Sequence, residues 1–118
     1  MELMEIHSET LGDILILRPQ GRLDHAVSPQ MRELVETAIT NGVFQVLLDF
    51  SMTHAVSSHG LRAILESGAA LRQHGGQIVL AGLPETILPL FRISGILALF
   101  PSFDSAQQAL QHFGSGAA

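Results

Sequence analysis

The sequence contains no cysteine, tryptophan, tyrosine or lysine among its 118 residues. Without cysteine, the chain can form neither a disulfide framework nor a metal site with thiolate ligands. All positive charge comes from six arginines, which are dispersed along the chain and opposed by eleven Asp and Glu residues. Clustered cations drive affinity for nucleic acid, and Trp and Tyr are common stacking residues for bases. We therefore expect no direct contact with nucleic acid.

Long apolar runs are also absent, although apolar residues make up 47% of the chain. A helix that spans a bilayer needs about 20 consecutive apolar residues. The acidic start MELMEIHSET lacks the layout of a signal peptide. The length suits one domain with a substantial core. We expect a cytoplasmic protein without membrane insertion, consisting of a single domain over residues 1–113 and a disordered tail over 114–118.

Apolar periodicity predicts the secondary structure of the first half of the chain. Alternating residues over 3–8, a turn at 11–13 and a buried run after it predict a β-hairpin. Ser28 and Pro29 are typical of the N-cap and first position of a helix, which Asn41 and the glycine after it end. The next apolar run is typical of a central strand covered on both faces. The two strands read ILILRP and VFQVLLDF, and loops are predicted at GRLDHAV and HAVSSHG.

The second half alternates between helices and strands. An amphipathic helix follows Gly60 and ends at the glycine pair 75–76. A third helix contains Pro89 at an interior position, where proline kinks or shortens a helix. Asp104 and Gln107 have the spacing of a capping box for a last helix. The two predicted strands read QIVLAG and ILALFP, and the third helix reads PETILPLFRIS.

The element order β-β-α-β-α-β-α-β-α predicts an α/β fold. The N-terminal hairpin followed by β-α alternation implies a mixed sheet of four to five strands, parallel beyond the hairpin, with about four helices. Right-handed crossovers connect the parallel strands.

Two serines, Ser57 and Ser58, lie where a buried strand passes into the second helix. An α/β-hydrolase would require G-x-S-x-G at such a turn, and the leading glycine is missing here. We therefore expect no hydrolase activity. Either serine could cap the helix. A phosphate at this position would be stabilised by free amides and the helix dipole, which makes a serine here a candidate regulatory switch.

Three of the six histidines, His25, His54 and His59, fall in predicted loops at one end of the sheet. They form no H-x-x-x-H pair, and no cysteine can complete a metal site. Each is interpreted as a surface histidine. We expect neither a metal nor another cofactor.

Three segments of the sequence resemble those of a known family. The segments GRLDHAVSPQMRELV, VLLDFSMTHAVSSHGLRAIL and LFRISGILALFPSFDSAQQAL, in this order, resemble a STAS domain of the anti-sigma factor antagonist type. The motifs are G-x-L-D before the first helix, L-D-F at the end of a strand, S-S-x-G-L-R at the second helix and L-F-x-x-S-G-[IL] after the third. The resemblance implies four to five strands with helices on one side of the sheet.

The resemblance also implies a function in protein binding, without enzymatic activity of the protein itself. Such antagonists bind a serine kinase of the GHKL type that sequesters a sigma factor, and phosphorylation of a serine at the start of the second helix breaks this complex. A PP2C-type phosphatase restores it. Many members carry the acceptor serine directly before the glycine, where this chain has His59. The phosphorylation candidates are therefore Ser58 first and Ser57 second. The partner-binding candidates are Asp24, His25, His54, His59, Gly60 and Arg62.

The sequence also allows other interpretations. The missing serine before Gly60 suits a STAS subunit of an ABC-type lipid transporter, which would bind its ATPase without phosphorylation. Binding of a small ligand is known in the family, although no residue pattern here points to it. Asp24 is equally well explained as a turn residue before the first helix. The weakly charged surface also allows a homodimer.

Overall fold

The computed structural model describes residues 6–117, with side chains as far as Phe113. Over this range the chain forms seven strands and five helices. The strands are β1 (Ile6–Leu11), β2 (Ile14–Pro19), β3 (Gly21–Leu23), β4 (Gln45–Asp49), β5 (Thr53–Val56), β6 (Gln77–Ala81) and β7 (Ser102–Phe103). The helices are α1 (Ser28–Thr40), α2 (Ser58–Arg72), α3 (Leu88–Ile93), α4 (Ile96–Leu99) and α5 (Ala106–Ala117).

Five strands form a mixed sheet in the order β1-β2-β4-β6-β7. The hairpin pair β1–β2 is antiparallel, and each later neighbour is parallel. The predicted α/β fold with an N-terminal hairpin and β-α alternation is therefore confirmed. Residues 3–5 of the predicted first strand lie outside the described residues. No helix in the described range combines the length and apolar character that crossing a bilayer requires.

The sheet is covered by helices on both faces, which corrects the expectation of helices on one side. Successive residues of a strand point to opposite faces. Val46 and Leu48 of β4 belong to the large core with α1, α2 and the α3–α4 segment, whereas Leu47 belongs to a smaller core. Ala109 and Phe113 of α5 complete that smaller core. The central strand is thus buried on both sides, as its near-continuous apolar run predicts.

A second, two-stranded sheet was not predicted from the sequence. Strand β3 pairs in parallel with β5, and Leu23 lies opposite Val56. The Thr53 hydroxyl anchors this sheet to the main one by donating a hydrogen bond of 2.6 Å to the carbonyl of Pro19. The assignment of GRL and HAV to loops was therefore wrong. These strands, of three and four residues, carry too little periodicity to be recognised in a sequence.

Helix α1 begins one residue earlier than predicted. Val27 is the N-cap, and Ser28 is the first helical residue. The carbonyl of Asp24 accepts hydrogen bonds from the amides of Val27 and Ser28 at 3.1 and 2.8 Å. The Ser28 hydroxyl donates to the same carbonyl at 2.7 Å. Because a turn already precedes Ser28, its side chain closes that turn instead of capping the helix.

The segment after β6 differs most from the prediction. Residues 84–87 form a turn instead of the start of a helix. Pro89 falls in the first turn of α3, where its missing amide is tolerated. Gly95 has a φ of 84°, and the residues after it form the short helix α4 where a strand was predicted. The last strand is instead β7, at Ser102–Phe103.

The last helix begins at Ala106, and its cap also differs from the prediction. The Ser105 hydroxyl accepts a hydrogen bond from the amide of Gln108 at 3.2 Å, and the Gln108 side chain accepts one from the amide of Asp104 at 3.2 Å. This arrangement lies one residue beyond the predicted Asp104–Gln107 box. Helix α5 includes residues 114–117, so its backbone passes the predicted domain end at 113. The single domain over 1–113 and the disordered tail remain predictions.

Candidate functional site

The two serines at the start of α2 have different environments. Ser57 is the N-cap, with extended backbone, and its hydroxyl accepts a hydrogen bond from the amide of Gly60 at 3.4 Å. Its own amide donates to the carbonyl of Leu23 in β3 at 3.0 Å. Ser57 is half-buried. Its structural role is therefore to join α2 to the small sheet.

Ser58, the first residue of α2, is exposed. Its hydroxyl makes no hydrogen bond to any side chain or backbone group in the described part of the chain. A free hydroxyl on a helical first turn can enter the site of a modifying enzyme without loss of a native contact. Of the two serines, only Ser58 presents its hydroxyl to solvent in this way.

Gly60 is buried and allows α2 to approach β3 closely. A Cβ on Gly60 would lie 2.5 Å from the carbonyl oxygen of Leu23 and 3.0 Å from a methyl group of Val56. Any larger residue would push the helix away from the strand. Gly60 was predicted both as a backbone element and as a partner-binding candidate. Its burial supports the first interpretation, and its effect on a partner would act through the position of the serines.

A groove of about 150 Å³ lies between the first turns of α1 and α2. The His25 and His59 rings meet at its wall in an edge-to-face contact, with their centroids 5.8 Å apart. Farther along, Arg32 of α1 forms an ion pair of 3.4 Å with Glu66 of α2, and both side chains are about half-exposed. Its lining residues are His25, Ser28, Pro29, Arg32, His59, Arg62, Ala63 and Glu66.

The guanidinium of Arg62 lines this groove without an ion-pair partner among the described residues, although the chain carries a net charge of −5. Glu66 is the single carboxylate in its lining and is paired with Arg32. The groove therefore suits an acidic group, such as a carboxylate of another protein. Within the described residues, no group of three histidine, aspartate or glutamate side chains is arranged to hold a metal ion.

Two predicted partner-binding residues lie outside this groove. The Asp24 carboxylate accepts a hydrogen bond from the amide of Ala26 at 3.1 Å and so stabilises the turn before α1. This geometry supports its interpretation as a turn residue. His54 is exposed on β5, beside Gly21, and does not line the groove.

Three of the predicted partner-binding residues, His25, His59 and Arg62, line this one groove, and their role in binding remains a prediction. Arg32 and Glu66, which also line it, were not predicted to have a role in a site. Their opposite charges, on the helices that precede β4 and follow β5, were the available signal. Which polar positions face each other depends on the rotation of α1 against α2, and that rotation is set by the buried residues Met31 and Ile64.

Comparisons with known proteins identify the family that the chain resembles in sequence. The family model described as the STAS domain matches residues 5–109. A Bordetella bronchiseptica protein named as an anti-sigma factor antagonist, BtrV, is 31% identical over 110 residues, covering 93% of this chain and 95% of that protein. The anti-sigma F factor antagonist of Paenibacillus polymyxa is 27% identical over 108 residues, covering 91% and 92%.

Solved structures agree on the fold. The structure of the Bacillus cell fate determinant SpoIIAA in its phosphorylated form has a TM-score of 0.76 to this chain, with 23% identity. It covers 92% of this chain and 98% of its own. The chain therefore belongs to the STAS domain family and is an anti-sigma factor antagonist-like member of it.

Proposed function

We propose that this protein is a partner-switching module without catalytic activity. In its unmodified form it binds an anti-sigma factor that is also a serine kinase of the GHKL type, and so frees the sigma factor. Phosphorylation of Ser58 ends this binding, and a PP2C-type phosphatase restores it. The anti-sigma F factor antagonist of P. polymyxa and the phosphorylated SpoIIAA structure support the proposal.

The observation that carries the proposal is the division of roles between the serines. Ser57 uses its hydroxyl as the N-cap, while Ser58 is exposed with a free hydroxyl. Transfer of the γ-phosphoryl group of ATP to the Ser58 Oγ releases ADP, and a base of the kinase takes the hydroxyl proton. Hydrolysis by the phosphatase returns the serine and inorganic phosphate. The seryl phosphate adds nearly two negative charges.

These charges would disfavour the same partner that the bare surface accepts. The groove beside Ser58 is lined by His25, His59 and Arg62 and favours an acidic group on the partner. A phosphate at its edge repels that group and competes with it for the guanidinium of Arg62. Like charges brought together at an interface oppose association by several kcal/mol.

Phosphosite mapping tests the proposal. The protein is isolated from its native cells during growth and during starvation, and its peptides are analysed by mass spectrometry beside a phosphatase-treated control. Phosphate on Ser58 that disappears in the control is the expected result. Serines that are bare under all conditions would overturn the switch.

One observation favours a second function. His59 occupies the position before Gly60 where many antagonists carry the acceptor serine. A STAS subunit of an ABC-type lipid transporter needs no acceptor and would bind its ATPase constitutively. Bare serines together with co-purification of an ATPase and a permease would select this function. Co-purification of a kinase that modifies Ser58 would exclude it.

A further inference from the structure

We infer that Arg62 binds the phosphoryl group of phosphorylated Ser58, so that modification of the serine also changes the groove between α1 and α2. This inference rests on the proposed function and specifies how the switch acts. It concerns a contact within the chain, between two exposed residues one helical turn apart.

The spacing places these two side chains together. Residues at i and i+4 of a helix are neighbours on its surface, with Cβ atoms about 5–6 Å apart. Helical side chains also lean towards the N-terminus, so a long side chain covers the turn before its own Cα. The Arg62 side chain, which lines the groove, is therefore long enough to reach a phosphate on Ser58 in the preceding turn. An anion N-terminal to a cation is the favourable order for such a pair.

Arg62 is also available to a phosphate. It forms no ion pair with any carboxylate of residues 6–113, whereas Arg18 pairs with Glu9 and Asp49, and Arg32 pairs with Glu66. A guanidinium group without a carboxylate partner can bind a phosphate in bidentate geometry without breaking an existing ion pair.

His59 is closer in sequence, but its side chain lies on a different part of the helix surface. Residues at i and i+1 of a helix do not face each other. The His59 ring contacts the ring of His25 across the groove, at a centroid distance of 5.8 Å. The ring is thus directed towards α1, and Arg62 is the residue that binds the phosphate on Ser58.

The pairing has a consequence for the partner. In the unmodified protein, Arg62 lines the groove with His25 and His59. When its guanidinium turns to the phosphate, the groove loses one of its cations. An acidic group of a partner in the groove is then repelled by the phosphate, and it no longer interacts with the guanidinium of Arg62. Both changes weaken binding of the partner.

A protein that carries phosphoserine at position 58 from translation tests this inference. Phosphoserine is incorporated through an expanded genetic code, so no cellular kinase is needed. The pH midpoint of the ³¹P chemical shift is measured in the otherwise unchanged protein and in the Arg62→Gln, His59→Ala and Arg72→Gln variants. Arg72→Gln is the matched control, because it removes the same charge from the same helix about 21 Å away, at 1.5 Å per residue.

A nearby guanidinium stabilises the phosphate dianion and lowers its titration midpoint. We expect Arg62→Gln to raise the midpoint by about 0.3 pH units, the size of a helical ion pair. Arg62→Lys should retain part of the effect, and His59→Ala and Arg72→Gln should leave the midpoint unchanged. Equal midpoints for the parent and Arg62→Gln, or a shift in His59→Ala alone, would overturn the inference. These results are independent of phosphosite mapping in cells, which tests the proposed function separately.

Discussion

The carbonyl oxygen of Leu23 lies 2.5 Å from the position that a Cβ atom on Gly60 would occupy. This oxygen also accepts the hydrogen bond from the amide of Ser57. One backbone group of the small sheet therefore sets the position of both the serine loop and the first turn of α2.

Replacement of Gly60 by alanine is expected to destabilise the protein. The obstructing atom belongs to the backbone of β3, so no side-chain rotation relieves the overlap. Such overpacking costs about 1–3 kcal/mol. Urea denaturation of Gly60→Ala beside Ser58→Ala, an exposed change in the same turn, measures the difference. An unfolding free energy for Gly60→Ala equal to that of the parent would contradict the proposed close approach.

Substitution of Ser57 and substitution of Ser58 should have different effects on the free energy of unfolding. Ser57→Ala removes an N-cap and should lower the unfolding free energy by about 0.5–1 kcal/mol, at the lower end because the hydrogen bond is long at 3.4 Å. Ser58→Ala removes no contact and should stay within about 0.5 kcal/mol of the parent. Thermal unfolding of both variants gives the comparison. The reverse order would assign the cap to Ser58.

Asp49, at the end of β4, is expected to be important for stability. Its side chain is 7% exposed and accepts a hydrogen bond of 3.2 Å from the Arg18 guanidinium. Its second oxygen accepts one of 3.0 Å from the amide of Ser51. Asp49→Asn should lower the unfolding free energy by about 1–3 kcal/mol, because the bond from Arg18 is charge-assisted.

Glu9→Gln is the matched control for Asp49→Asn. The same arginine contacts Glu9 at 3.5 Å, but that carboxylate is 55% exposed. An exposed ion pair contributes about 0–1 kcal/mol. Equal losses in the two variants would show that burial of Asp49 does not strengthen its bond to Arg18.

Substitutions at Gly68 and Phe100 should have strongly non-additive effects on the free energy of unfolding. A Cβ on Gly68 would lie 2.6 Å from the Phe100 ring, which is buried. Alanine favours a helix over glycine by about 1 kcal/mol, whereas overpacking costs about 1–3 kcal/mol. Gly68→Ala should therefore be destabilising. With Phe100→Leu the ring is gone and the same alanine should be stabilising, which a double-mutant cycle measures. Additive effects would contradict the contact.

Loss of the two groove histidines should weaken partner binding. We expect the His25→Ala, His59→Ala double variant, unphosphorylated, to bind the co-purified anti-sigma factor about tenfold more weakly, equivalent to 1.4 kcal/mol. His74→Ala is the matched control, because His74 follows the other end of α2 and stacks on Phe44. Isothermal titration calorimetry measures the affinities of the parent, the double variant and the control for this partner. Equal affinity of the double variant and the control would place the partner elsewhere.

Much of the architecture is predictable from short-range pattern. Local information is carried by the near-continuous apolar run of β4, by the stripe through Met31 and Val35, and by the glycines 42 and 75 that end α1 and α2. Hydrophobic periodicity and backbone freedom are properties of a few neighbouring residues. They specify an element wherever it is placed in the fold, and the resemblance to the STAS domain depends on these same segments.

Other features depend on which segments meet. The parallel pairing of β3 with β5 requires two short segments, about 30 residues apart, to align beside the main sheet. The groove requires the polar faces of α1 and α2 to be turned towards each other, and their buried residues set that rotation. The sequence was thus sufficient to identify the fold and the serine-bearing turn, because local patterns encode them. The different roles of Ser57 and Ser58, and the meeting of His25 with His59, arise from packing between distant segments, which no local pattern contains.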